Sequence, residues 1–117
     1  MLSFANDTKI YFAAGATDMR KGFCGLCGIV NNLLELDPLS GHLFLFVNRR
    51  RDKMKILYWD HDGLAIWYRR LEQGTFQVPD VGFDQVSVQI NSDDFMMLLR
   101  GIDYTKVKRR KRFKLTA

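Results

Sequence analysis

The sequence predicts an α+β fold, an antiparallel β-meander sheet of about five or six strands packed with two helices and followed by a disordered basic C-terminal tail. Three observations carry this expectation. Between residues 42 and 78, runs rich in aromatic and branched side chains alternate with short clusters of turn-forming residues, the mark of antiparallel hairpins. Two other stretches carry helix signals, an apolar repeat at three- and four-residue steps and a capped acidic start. A chain of 117 residues, 47% of them apolar, is long enough to bury one core without metal or disulfide support.

Taken in order, "TKIYFAA" (Thr8 to Ala14) reads as a first strand with a turn at Gly15. Thr17 or Asp18 can cap a helix, because a short side-chain oxygen accepts the free amide hydrogens of a first turn. Phe23, Cys27, Val30 and Leu34 then make one apolar helical face. Gly22, Gly25 and Gly28 weaken that helix by roughly 1 kcal/mol each relative to Ala, so close packing against another element is expected. Pro38 in "DPLSG" ends it, since proline disfavours helical geometry at the residue before it. "HLFLFV" (His42 to Val47) is apolar on both faces, as a central strand would be. "NRRRD" turns the chain, "MKILYW" (Met54 to Trp59) returns, and "DHDG" turns it again into "LAIWYRRL" (Leu64 to Leu71). "EQG" leads to a further strand, "TFQV" (Thr75 to Val78). "VSVQI" places Val86, Val88 and Ile90 inward, and Ser92 caps "DDFMMLLRG". Residues 1–104 read as one domain and 105–117 as a tail. No window of 18 consecutive apolar residues occurs, and "MLSFANDTK" lacks the regions of a signal peptide, which predicts a cytoplasmic protein.

Charge is unevenly placed. Residues 1–48 sum to −1, 49–79 to +3, 80–105 to −4 and 106–117 to +7, within a net charge of +5. A protein basic mainly through one arm points to a polyanionic partner, most simply DNA. The candidate DNA-binding residues fall in two groups. Arg49, Arg50, Arg51, Lys53 and Lys55 sit at a hairpin end, with Arg69 and Arg70 on the next strand beside the same turn. Lys106, Lys108, Arg109, Arg110, Lys111, Arg112 and Lys114 form the tail. A charged turn and a basic tail can both serve solubility alone. Arginine forks, however, suit phosphates and guanine edges better than solubility requires. Seven tail contacts would give a slope of log K against log salt of at most about −6, at about −0.9 per phosphate.

The ordered blocks "TDMRKGF" (17–23), "SGHLFLFVNRRRDKMKILYWD" (40–60), "DGLAIWYRRLEQGTFQVP" (62–79) and "LLRGIDY" (98–104) resemble TnpB, the short accessory protein of the IS-sixty-six family of bacterial insertion sequences. This is distinct from the RNA-guided nuclease of the same name. The resemblance covers roughly residues 8 to 104. It implies a role in transposition beside a separate, larger transposase that carries the catalytic acids, with that transposase and a sister accessory protein as partners. It supplies no catalytic or ligand-binding residues. The cysteines of "FCGLCG" and the basic tail lie outside the shared pattern.

No chemistry of catalysis is visible. "CGLC" (Cys24 to Cys27) lacks the thioredoxin context, and a zinc site needs four ligands where only two cysteines and the separated His42 and His61 are offered. Asp60 and Asp62 sit in a turn, Asp93 and Asp94 at a helix start, and nothing gathers them with Asp80, Asp84 and Asp103. No nucleophile–base pair is arranged. The reading is therefore a non-catalytic accessory factor without cofactor or metal. The alternative is a protein–protein adaptor for the transposase complex, docking through Tyr58, Trp67 and Tyr68 or a sheet edge. A third, weaker reading is a thiol enzyme using Cys24 and Cys27.

Overall fold

The computed structural model describes residues 7–100. The tail cations Lys106 to Lys114, and Asp103, lie outside the described residues.

Five strands form one mixed sheet in the order β4-β3-β2-β1-β5. They are β1 (Ile10–Ala13), β2 (Leu43–Val47), β3 (Lys53–Asp60), β4 (Gly63–Arg70) and β5 (Ser87–Ile90). The helices are α1 (Phe23–Gly28), which runs on as a π-helical segment (Ile29–Leu33), and α2 (Ser92–Leu99). The meander of β2, β3 and β4 is antiparallel, as the turn residues require. The sheet is not antiparallel throughout. β1 and β2 pair in parallel, Tyr11 opposite Phe44, because the helix between them carries the chain back to the starting end of the sheet. β5 closes the other side of β1, antiparallel, with Ile10 opposite Ile90.

Period-two alternation gives the sheet two apolar faces. Ile10, Phe12, Leu45, Met54 and Ile56 meet Phe95 and Leu98 of α2 and the buried Phe76. On the opposite face Ala13, Phe44, Phe46 and Leu57 meet Leu26, Val30 and Leu34. β2 is buried along its whole length, as a strand apolar on both faces must be. Full burial of Phe95 and Leu98 contributes about 1.5–3 kcal/mol each, and so fixes α2 to the sheet.

Several local expectations are corrected. Neither Thr17 nor Asp18 caps α1; Gly22 precedes it without a side-chain cap, because Asp18 is taken by Arg20. Phe23 is half exposed, and Leu26 takes its place in the buried stripe with Val30 and Leu34. Residues 75–78 form no strand, although Phe76 is wholly buried; its amide donates to the Arg51 carbonyl rather than to a sheet ladder. Val86 lies before β5 and is exposed. Asn91, not Ser92, caps α2, its Oδ1 accepting from the Asp94 amide at 2.8 Å, while Asp93 and Asp94 complement the helix dipole.

Candidate nucleic-acid interface

The basic turn between β2 and β3 is held by its first residue. Asn48 Oδ1 accepts from the amides of Asp52 (3.1 Å) and Lys53 (3.0 Å), and its Nδ2 donates to Asp52 Oδ1 at 2.7 Å. The Asn48 amide donates to the Lys53 carbonyl and the Arg51 amide to the Asn48 carbonyl. The neighbouring 71–76 segment straps the turn from outside, the Leu71 amide donating to the Asp52 carbonyl and the Phe76 amide to that of Arg51, each at 2.7 Å. Arg51 adopts the left-handed region, φ 60°, which favours glycine. A charged turn here is a built object rather than a loose solvated loop.

Facing the turn is the 16–20 segment. Together they border an open groove of about 690 Å³ lined by Asp18, Arg20, Asn48, Arg49, Arg50, Asp52, Lys53 and Tyr68, among others. Four cations line it against two carboxylates, and both carboxylates are already engaged. Asp18 takes the Arg20 guanidinium through Nε and Nη2 (2.7–3.1 Å) and the Arg20 amide, which holds its carboxyl down at about 2. Asp52 is held below the ordinary carboxylate range first by the hydrogen bond from the Asn48 side chain, with Lys53 and Arg50 adding to it. The groove therefore carries a net positive charge, with each of its two carboxylates already hydrogen-bonded.

The cations named from the sequence do not share one surface. Arg49, Arg50 and Lys53 line the groove. Arg49 also borders, with Arg51 and Asp80, a second recess of about 360 Å³. Arg70 pairs with Glu72 at 3.1 Å. Lys55, partly buried, is engaged within the fold: its Nζ donates to the carbonyls of Met19 (2.7 Å) and Lys21 (2.9 Å) and lies 4.8 Å from the centre of the Tyr68 ring. Arg69 stands on the other face of the sheet, where its Nη1 donates to the Leu99 carbonyl at the end of α2 (2.7 Å). The aromatic trio divides in the same way. Tyr58 and Trp67 pack against the core on the α2 face, whereas Tyr68 lines the groove.

Arg20 belongs to the groove and was not legible as a member. "TDMR" shows a local Asp–x–Arg pair, but only long-range packing brings it opposite the basic turn. Cys24 and Cys27 are free thiols, the first exposed and the second partly covered, and burial pushes the Cys27 thiol above its ordinary range. Among the described residues no three His, Cys, Asp or Glu side chains gather as a metal site would require. None of the helices there is long and apolar enough to cross a membrane.

Comparison with known proteins agrees with the sequence blocks. The family described as "IS66 Orf2 like protein" matches residues 8–109. Two proteins of Sinorhizobium fredii are similar along nearly their full length. "Uncharacterized protein y4jC" is 32% identical over 110 residues, covering 94% of this chain and 92% of the relative. "Uncharacterized protein y4hO" is 34% identical over 104 residues, covering 89% of each. No solved structure matches. The chain belongs to the IS66 Orf2-like family, a group of accessory proteins associated with insertion sequences.

Proposed function

We propose that this accessory protein binds DNA through the basic turn and its groove, with the tail as a second contact, and assists the transposase of its element without catalysing a step itself. One observation carries the reading. Arg49, Arg50 and Lys53 stand on a hydrogen-bonded turn beside the ion-paired Arg20, so that four cations face two carboxylates in one groove. A turn whose backbone is already ordered loses little backbone freedom on meeting phosphates, which favours binding beyond the charge alone. Phosphate contacts of this kind give affinity and register, not sequence.

The test is fluorescence anisotropy with a labelled duplex carrying the element's end and a scrambled duplex, across a salt series. Replacing Arg49, Arg50 and Lys53 together by Gln should flatten the slope by about 2.7, at about 0.9 per lost phosphate contact. Replacing the tail cations by Gln should flatten it independently. Wild-type and triple-variant slopes that coincide would remove the turn from the interface.

The adaptor reading has one feature in its favour: β4 is an edge of the sheet, open to strand addition. A transposase pulled down equally well by wild type and by the triple variant, but lost on Trp67→Ala or Tyr68→Ala, would favour it.

A further inference from the structure

We infer that the groove takes an unpaired nucleotide of single-stranded DNA, its base stacked on Tyr68 and its phosphates against Arg20, Arg49, Arg50 and Lys53. This rests on the DNA-binding reading above and adds the form of the DNA.

Tyr68 is the starting point. It is 51% exposed, the most exposed aromatic on the described strands, and it opens into the groove rather than onto a core. Its neighbours Tyr58, Trp59 and Trp67 are all better covered. The ring is also held in place. The Lys55 ammonium sits 4.8 Å from its centre and is itself fixed by the Met19 and Lys21 carbonyls. The same lysine ties the 19–21 segment, the groove's far wall, to the strand that carries the ring's neighbours.

Size and charge agree with this. At about 690 Å³ the groove lies within the range of small-ligand sites, a size that suits a single nucleotide. An aromatic platform beside a track of cations is the arrangement by which single strands are held without reading their sequence. A tyrosine that merely covered the sheet edge would have no need of a cation-rich groove beside it. A protein-docking tyrosine would be expected among apolar neighbours instead, whereas six of the eleven residues lining the groove are charged.

The experiment compares a short fluorescein-labelled oligothymidylate with a duplex of equal length, using the full chain. Tyr68→Ala should weaken oligothymidylate binding about tenfold, the low end of what one stacked base provides, and barely change duplex binding. Tyr68→Phe should bind like wild type. Tyr68→Leu, which keeps an apolar strand residue but no π-face, should behave like Tyr68→Ala, with circular dichroism confirming that all three fold. If duplex binding and its salt slope are present but Tyr68→Ala leaves oligothymidylate binding unchanged, the stacking inference is wrong while the DNA reading stands. If the wild type binds neither probe at low salt, both are wrong. If Tyr68→Ala instead abolishes transposase capture and leaves both probes bound, the ring is a protein contact and the inference is overturned.

Discussion

Replacing Asn48 by Ala separates the order of the basic turn from its charge. The substitution removes three hydrogen bonds, to the amides of Asp52 and Lys53 and from Nδ2 to Asp52 Oδ1, and leaves every cation in place. Net contributions of about 0.5–1.5 kcal/mol per bond, taken near the lower middle because the site is only partly buried, give a loss of about 2 kcal/mol. For a domain of this size each kcal/mol moves the melting temperature by about 4 °C, so thermal unfolding should fall by about 8 °C. DNA affinity should fall several-fold because the turn must now be ordered on binding, while the salt slope should not change, since the same phosphates are met. Differential scanning calorimetry and the anisotropy salt series measure the two quantities. A melting point within about 2 °C of wild type would show that water replaces these bonds at no cost. A flattened slope would show that Asn48 places the cations rather than merely steadying them.

Arg51→Gly should relieve the left-handed backbone at φ 60° and raise stability by about 0.5 kcal/mol, while reducing the salt slope by about 0.9 if Arg51 meets a phosphate; a lower melting point would refute the strain argument. Arg69→Met should cost about 1 kcal/mol through loss of its bond to the Leu99 carbonyl at the end of α2 and leave DNA binding nearly intact, because it stands on the face away from the groove; chemical denaturation and anisotropy read the two effects. The Asp18 carboxyl titrates at about 2 instead of the ordinary 3.8, held down chiefly by its hydrogen bonds from Arg20. Its folded value is the lower one, so the pair's contribution is complete above about pH 3.8 and is lost as pH falls toward 2. Carboxyl-detected NMR should show that low value in the wild type and a return toward 3.8 in Arg20→Ala.

The parts of the fold that the sequence disclosed are those governed by neighbours in the chain. β2, β3 and β4 follow from apolar runs cut by "NRRRD" and "DHDG", and local hydrogen bonding suffices to fix such hairpins. The parallel pairing of β1 with β2 depends on where a crossover returns the chain, which no period in the sequence encodes, although a strand–helix–strand order is compatible with it. "TFQV" has strand-forming residues and yet makes no ladder, because Arg51 and Asp52 offer carbonyls to the 71–76 segment and hold it as a strap. The site divides similarly. Arg49, Arg50 and Lys53 were readable as a charged turn, whereas Arg20 and Tyr68 enter the groove only once distant segments pack. Lys55 and Arg69 looked identical to the other cations in sequence, and only their carbonyl partners reveal that they hold structure together.

The central position of β1 has a bearing on synthesis. Its two partners are β2, some thirty residues later, and β5, with Ile10 meeting Ile90. On the ribosome the β2–β4 meander can assemble as soon as it emerges, and β1 can join β2 at once. The other flank of β1 then stands as an open edge until residues 87–90 arrive, seconds later at about 5–20 residues per second. An exposed edge of this kind is a template for wrong pairing. Completion of this small sheet is therefore a late event of translation, and a chain stopped short of β5 would be prone to associate through the strand with which it began.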